Sequence, residues 1–506
     1  MPFFFSGQIL TGNPMNVLLV NPQCADTFWS FKHALRFIAR KVANPPLGLL
    51  TVSALLPAEW EKKLVDMNLS PLREEDVWRA DLVFIGAMDI QRDSVREVIH
   101  MCQRLNRKIV AGGPLFTSEP EEWSMIDYLV LNEAEITLPE FLDDLAAGTP
   151  MHLYQTSEFP SLNTSPVPDY CLLNLKQYAT LSLQYSRGCP FDCEFCDITA
   201  LFGRKVRTKT SEQVIAELEN LFRLNHRGNI FFVDDNFIGN KARLKKELLP
   251  KLIAWMEKRK YPFRFNTEAS INLADDEELM RLMAMAGFES VFVGIETPEQ
   301  ASLAGCNKMQ NTERNLVEDV RKIQRFGLQV SGGFIVGFDD DSPSVFQRQI
   351  DFIQQSGIVT AMVGLLNAQK KTKLYQRLKD EKRLLDVSSG NNTDFSMNFI
   401  PRMNLDFLMD GYRQVLTEIY SYKPYYQRVQ HFLKNYQPGL HSHRKMTFSN
   451  IKALMRSMFV LGVLKQGQFY YWRLFVWTIV HCPENFPEAI TLAIYGYHFR
   501  KIYSIA

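Results

Sequence analysis

No run of the sequence approaches the ~20 uninterrupted apolar residues a helix needs to cross a bilayer. The opening MPFFFSGQIL lacks the basic flank and the longer apolar stretch of a secretory leader. The first strand-like segment opens at Met15, so the residues before it read as an extension outside the fold. Charge of one sign is also lacking, with 57 Lys+Arg against 56 Asp+Glu and a net charge of +1. A dedicated nucleic-acid binder draws its affinity from many phosphate contacts, and this balance argues against one. Internal repeats and low-complexity tracts are missing too. Cysteine is sparse, eight in 506 residues, which excludes a small disulfide scaffold. Cytoplasmic residence is the expectation, where thiols stay reduced and act as ligands or free groups. The hydrophobic fraction of 46% and charged fraction of 22% exclude disorder and collagen. At ~100–200 residues per domain, the length suits two to four domains.

Five of the cysteines are scattered: Cys24, Cys102, Cys171, Cys306 and Cys482. The other three fall together in SRGCPFDCEFCDI, as Cys189-x3-Cys193-x2-Cys196. Three thiolates so spaced on one loop can converge on a single soft metal centre. Zinc would call for a fourth close ligand, and the next His or Cys is His226. A [4Fe–4S] cluster held by three thiolates instead leaves one iron open to a small molecule.

Beyond the cysteines, apolar runs alternate with helical patterns. The strand-like runs are Leu181–Tyr185, Asn229–Val233, Phe263–Thr267, Ser290–Ile295, Leu328–Val336 and Val359–Leu366. Helical periodicity fills the gaps from Ser211, Ala242, Asp275, Thr312 and Pro343. Six such repeats predict a parallel, partly closed (β/α)6 barrel of TIM type, with its chemistry on the loops after the strands. Polar groups recur there: the cysteine loop after the first strand, Asp234 and Asp235 after the second, Glu268 after the third, Glu296 after the fourth, and Gly337-Phe338-Asp339 after the fifth. One strand-end carboxylate is often a helix cap. Successive ones beside a cluster loop point to a shared site.

The first part of the chain has another character. MNVLLVNP, KKLVDMN, DLVFIGAM, KIVAGGP and DYLVLNE are five short apolar strands, spaced as in a doubly wound Rossmann- or flavodoxin-type sheet. Ligands of such sheets bind at the carboxyl ends of the strands, occupied here by Asn21-Pro22-Gln23, Gly86-Ala87-Met88, Gly112-Gly113-Pro114 and Asn132-Glu133. No GxGxxG follows the first strand, which disfavours a dinucleotide. The proline-rich stretch 146–180 reads as an extended linker. After Leu366 no metal-spacing or nucleophile pattern appears. The terminal WRLFVWTIVHCPENFP and ITLAIYGYHFRKIY are aromatic with interspersed basic residues, which fits either ordinary helical core or a helix lying at a membrane interface. His441 and His443 read as solvated loop residues, and Cys306 as a small-residue loop cysteine rather than a catalytic thiol.

The cysteine motif resembles that of the radical S-adenosylmethionine (SAM) superfamily, Cx3CxΦC, with Phe195 at the aromatic position. An open sheet before such a barrel resembles the cobalamin-binding members. The whole order, from NPPLGLL through FFVDDNF and GGFIVGF to SGNNTDF, resembles the group that carries a C-terminal helical domain of unknown function and counts the hopanoid C-2 methylase among its relatives. The resemblance implies domains at 14–145 (cobalamin), 181–375 (radical SAM) and 376–506 (helical), with 146–180 between the first two. It implies a [4Fe–4S] cluster on Cys189, Cys193 and Cys196, and SAM held by its amino group at Asp234 or Asp235. Glu268 and Glu296 would reach the ribose or methionine carboxylate, and Ile335 and Gly337 would line the adenine. Gly112 and Gly113 would let a corrin approach the backbone. No DxHxxG motif is present, and His33 and His100 lie in helical stretches. The cobalamin so implied is therefore base-off without a histidine ligand, and a degenerate domain without corrin stays open.

The family chemistry implies an external electron donor, a 5′-deoxyadenosyl radical that takes hydrogen from an unactivated carbon, and a methyl group delivered through methylcobalamin. No catalytic residue is singled out. The implied substrate is a small or lipid-like molecule, with peripheral membrane contact through the C-terminal region as a further expectation. Two other functions stay open: a non-methylating cyclase or oxidoreductase of the same fold, and a non-enzymatic iron–sulfur scaffold.

Overall fold

The apolar runs near the start form a wholly parallel sheet of six strands: β1 Asn16–Asn21, β2 Glu61–Asp66, β3 Leu82–Gly86, β4 Lys108–Gly112, β5 Tyr128–Val130 and β6 Leu153–Tyr154. Their order is β2-β1-β3-β4-β5-β6. The structure is a computed structural model that describes residues 14–385, 388–391, 393–439 and 448–505. The N-terminal extension read from the sequence, His441 and His443 lie outside these described residues, as does Asn392 of SGNNTDF.

Alternation along β1 sends Leu18 and Val20 to one face of the sheet and Val17 and Leu19 to the other, and all four are buried. Helix Arg92–Arg104 covers the first face with Val95, Val98, Ile99 and Cys102 at helical spacing. Helices Leu47–Leu55 and Ala134–Ala147 cover the second with Leu49, Leu138 and Phe141. Each such side chain contributes about 1.5–3 kcal/mol by leaving water, which is why these strands read as near-continuous apolar runs. The strand order reverses beside β1, which places the sheet's switch point at the carboxyl ends of β1 and β3.

This sheet differs from the expected five strands by β6, which pairs with β5 inside the stretch read as a linker. Two residues are too few to show a strand pattern. Tyr154 of β6 is anchored by its hydroxyl, which donates to Asp144 at 2.8 Å. The first compact unit comprises residues 14–24 together with Pro46–Leu173.

The second unit comprises Ala25–Pro45 and the described residues from Asn174 onwards. Segment 25–45 belongs to it although it falls within the first domain by sequence. Phe28 stacks on Phe499 with ring centroids 4.3 Å apart, and Val42 bridges to Tyr178. The strands of this unit are β7 Thr180–Leu183, a small antiparallel ladder of β8 Ser186–Arg187 with β9 Arg207–Thr208, then β10 Gly228–Phe232, β11 Phe263–Glu268, β12 Phe288–Glu296, β13 Gln329–Val336 and β14 Ala361–Leu365. Apart from the ladder they form one parallel arc, β14-β13-β12-β11-β10-β7, the partial barrel expected from the six repeats. Helices Ser211–Arg223, Leu249–Lys258, Glu277–Ala286, Leu316–Arg325 and Val345–Ser356 return the chain between strands.

The remainder is helical: Lys373–Asp380, Leu405–Tyr420, Tyr422–Asn435, Phe448–Phe459, Gln468–His481 and Phe486–Ile502. The tyrosine content of this region has a structural use. Tyr412 and Tyr420 donate to the carbonyls of Val363 and Ala361 at 3.1 and 2.5 Å. They satisfy acceptors on β14, an edge strand that would otherwise present them unpaired. No helix among the described residues is long and apolar enough to cross a membrane.

Candidate active site

The cysteine loop follows β8, and its base is fastened by a carboxylate from the next strand end. Asp234, fully buried, accepts from the backbone N–H of Tyr185 at 3.1 Å, and from the N–H and hydroxyl of Ser186. The loop turns at Gly188, whose φ of +91° belongs to the left-handed region, and a Cβ there would meet the backbone oxygens of Gly203 and Lys205 at 2.9 Å. Cys189 then donates its N–H to Gly203 O at 3.3 Å, and Cys196 to Cys193 O at 3.2 Å.

Two further segments grip this loop. After β12, Cys306 O accepts from Glu194 N at 2.9 Å, Asn307 donates to Asp192 O at 2.8 Å, and Gln310 Nε2 lies 3.7 Å from Cys193 Sγ. From helix Lys373–Asp380, Leu374 N donates to Glu194 O at 3.0 Å and Lys373 pairs with Asp192 at 2.5 Å. Arg377 forks onto both oxygens of Glu194 and reaches Asp339, which also accepts from Arg383. The sequence reading stopped assigning chemistry at Leu366, and so missed these contacts. A basic run in an amphipathic helix carries no sign of its partner.

Phe195 packs against Phe338 with centroids 5.9 Å apart, in the cluster that also holds Ile335 and Cys306. The motif's aromatic position, Ile335 and the turn at Gly337 are therefore neighbours. Gly337 and Phe338 donate their N–H groups to Asp341 at 2.8 and 3.1 Å, which fixes that turn. Ile335 O accepts from Gln349 at 2.7 Å.

Glu296 ends β12 with a positive φ of 64°, next to an irregularity in the pairing with β13. Its carboxylate forms a buried ion pair with Lys308 at 2.7 Å. Lys308 also stands 5.9 Å from the Phe195 ring centroid. Burial opposes its charge, but Glu296 together with Cys193 and Cys196 outweighs that and holds it above the usual lysine value. Lys308 was not singled out from sequence, where a lone loop lysine is unremarkable.

Asp235 and Glu268 behave differently from Asp234. Asp235 Oδ2 is buried without a hydrogen-bond partner. Burial, then the neighbouring Asp234 and Asp197, push Asp235 up to about 7. Glu268 rises to about 8 through burial and then the charges of Asp235 and Asp234. Asp234, with three donors offsetting its burial, rises to about 6. Acids held away from water that repel each other and have an oxygen without a donor are stabilised by a cation. The ammonium and sulfonium of SAM have that character, so these residues fit the molecule.

Burial also raises Cys189 and Cys196 above the usual thiol value. Among the described residues no group of three His, Cys, Asp or Glu closes on a single metal ion. Three cysteines on one loop, braced from two sides, suit an iron–sulfur cluster with three protein ligands.

Gly112 and Gly113 lie in the other unit, at the end of β4. A Cβ on Gly112 would approach Val130 O to 2.6 Å, and Gly113 has φ +98° with Ala87 O 3.0 Å from its Cβ position. Packing between strand ends requires both glycines. The polar groups at the carboxyl ends of β1 and β2 bond to one another and to Gln91 after β3: Asn21 to Asp66 at 3.0 Å, Gln91 to Asn21 at 3.0 Å and Asn68 to Asp66 at 2.8 Å. His100 lies on helix Arg92–Arg104 and His152 precedes β6, so no histidine of this unit stands at a strand's carboxyl end among the described residues. That donor set fits a corrin bound without a histidine ligand.

Three family profiles match the chain: a B12 binding domain at residues 36–142, the radical SAM superfamily at 183–353, and a domain of unknown function, DUF4070, at 372–506. An uncharacterized methyltransferase of Synechocystis sp. is 42% identical over 96% of this chain and 92% of its own length. The hopanoid C-2 methylase of Rhodopseudomonas palustris is 34% identical over 80% of this chain and 79% of its own. Among solved structures, the cobalamin-dependent S-adenosylmethionine radical enzyme OxsB shares the fold with a TM-score of 0.62 at 15% identity, over 97% of this chain and 80% of that one. The radical SAM methyltransferase TsrM from Kitasatospora setae does so at 0.59 and 14%, over 96% and 99%.

Proposed function

The chain belongs to the cobalamin-binding radical SAM enzymes, and from that premise we propose that it methylates an unactivated carbon of a small, lipid-like molecule. Its cofactors are a [4Fe–4S] cluster, SAM and cobalamin. When bound, these supply electron transfer into SAM, a radical able to take hydrogen from carbon, and a transferable methyl group. An external donor must supply the electron.

The observation that carries the reading is the meeting, in one unit, of the braced three-cysteine loop with Asp235, whose carboxylate accepts from the Gly188 backbone of that loop and keeps Oδ2 without a partner. Cys189, Cys193 and Cys196 would hold the cluster. Asp235, rather than Asp234, would take the SAM ammonium, because Asp234 already spends its oxygens on Tyr185 and Ser186. Glu268 would bind a second polar group of SAM. Lys308, on the cysteine-loop side of Glu296, would pair with the methionine carboxylate, and Glu296 would keep that lysine in place. Phe195, Ile335 and Gly337 would bound the adenine, and the buried surroundings would exclude water.

By this proposal residues 14–145, apart from segment 25–45, serve the corrin, 181–375 the radical step, and 376–506 brace the cysteine loop and make peripheral membrane contact. Gly112 and Gly113 keep the strand ends close enough for a flat ligand to lie against the backbone. The relatives named for methylation of a hopanoid support a lipid-like substrate here. The test is anaerobic incubation of the reconstituted, reduced protein with methyl-labelled SAM and a cellular lipid extract. Label in the organic phase is expected, and its confinement to water-soluble products overturns the substrate class.

A further inference from the structure

Helices Phe448–Phe459 and Gln468–His481 each carry an exposed apolar stripe. Met455 and Phe459 lie four residues apart on the first, Leu464 ends the π-helical turn that follows, and Phe469, Val476 and Val480 run along the second. Phe469 is 70% exposed, Val480 68% and Met455 63%. The opposite faces are the ones that pack, through Ser457 and Leu461 on one side of the turn and Tyr471, Leu474 and Thr478 on the other. The seam between the helices is already made. Ser457 Oγ and Tyr471 OH are 2.9 Å apart, and Trp472 donates its indole N–H to Gly462 O at 3.0 Å. The exposed stripes are therefore not the unfinished half of the hairpin's own contact.

Charge identifies what covers them. From Ile419 to Pro483 the sequence contains no Asp or Glu and nine Lys or Arg. Lys452, Lys465 and Arg473 are exposed on or between the two helices. A second copy of the same face would set these cations against one another. An apolar stripe rimmed by cations, whose first acid along the chain is Glu484 beyond the end of the second helix, complements a layer of acyl chains beneath anionic headgroups.

We propose that this hairpin docks on the surface of an anionic lipid bilayer, with Phe459, Phe469 and Val480 entering the headgroup region. The inference rests on the reading of a lipid-like substrate for its purpose, and on the exposed stripes and the charge pattern for its geometry.

The test is co-sedimentation of the full-length protein with vesicles of phosphatidylcholine, with and without phosphatidylglycerol. Phosphatidylglycerol is expected to raise vesicle affinity by about tenfold or more, and added salt to lower it. Phe469→Glu with Val480→Glu is expected to lower it by about tenfold, whereas Trp78→Glu, at an equally exposed apolar residue of the other unit, leaves it unchanged. A misfolded double variant does not remove the test, because quenching of Trp472 and Trp477 in the unaltered protein by bromine-labelled phosphatidylglycerol reads the same contact. No dependence on phosphatidylglycerol, or no quenching, overturns the proposal. Self-association without vesicles that the double variant abolishes assigns the face to a second copy and also overturns it. Vesicle binding without methyl transfer to lipid keeps the docking face and removes the substrate reading. Methyl transfer to dispersed lipid without vesicle binding does the reverse.

Discussion

Arg377 holds Glu194 by two hydrogen bonds, of 2.6 Å from Nε and 3.1 Å from Nη2. Glu194 stands between Cys193 and Phe195, so a guanidinium from the helical C-terminal region fixes the middle of the cysteine loop. A forked pair of this kind is directional as well as attractive. Arg377→Met is expected to cost about 1–2 kcal/mol of stability and to speed the loss of cluster absorbance in the presence of a chelator. Arg377→Lys keeps the charge without the fork and should recover only part of it. Unchanged cluster lifetime in both variants would remove the bracing role.

The two adjacent aspartates should separate cleanly. Asp235→Asn is expected to weaken SAM binding by about tenfold or more, measured by calorimetry on the reconstituted protein, with the melting temperature maintained or raised. Asp234→Asn should instead lower stability by about 1–3 kcal/mol, since one of its acceptor oxygens becomes a donor facing Tyr185 and Ser186. If the two variants exchange these phenotypes, the assignment is reversed.

Gly112→Ala places a methyl group 2.6 Å from Val130 O, and is expected to destabilise the sheet by about 1–3 kcal/mol in urea unfolding, with or without corrin. Gly48→Ala, where nothing lies within 4 Å, should be neutral or stabilising by about 0.5–1 kcal/mol. A stability loss at Gly112 that appears only with cobalamin bound would assign that glycine to the corrin rather than to packing.

Acid should act through two histidines of the second unit, His498, which is buried, and His226, which is half-buried. Burial lowers His226 and His498 from 6.5 to about 4. A histidine whose folded value is depressed takes its proton more readily when unfolded. Its contribution is therefore complete above pH 6.5 and is lost as the pH falls towards 4, by up to about 3 kcal/mol each. His498→Gln keeps a donor for Phe28 O, which His498 Nε2 reaches at 3.0 Å, and removes the titration. The melting temperature of that variant is expected to fall less steeply between pH 6.5 and 4, and an equal slope would contradict the assignment.

The readable parts of this protein were those where one local pattern sets the outcome. Three cysteines with Phe195 define a cluster loop, and six apolar runs define the parallel arc, because a strand buried on both faces has no freedom in its residue types. The acidic strand ends could be located but not ranked. Asp234 and Asp235 are adjacent in the sequence, and only the hydrogen bonds from Tyr185 and Ser186 distinguish a loop anchor from a carboxylate with an unpaired Oδ2. Contacts across long separations were invisible: Arg377 with Glu194, Lys308 with Glu296, and segment 25–45 with the C-terminal helices. The two-residue β6 was hidden for a simpler reason, since its pairing partner rather than its composition makes it a strand.

The most direct measurement counts two products of SAM in one anaerobic reaction of the reconstituted, reduced protein with lipid substrate. A methylating enzyme that uses one SAM to start the radical and another as methyl source should form 5′-deoxyadenosine and S-adenosylhomocysteine in equal amounts, matched by methylated lipid. Sustained 5′-deoxyadenosine without S-adenosylhomocysteine would show radical chemistry that transfers no methyl group, and would contradict the proposed function.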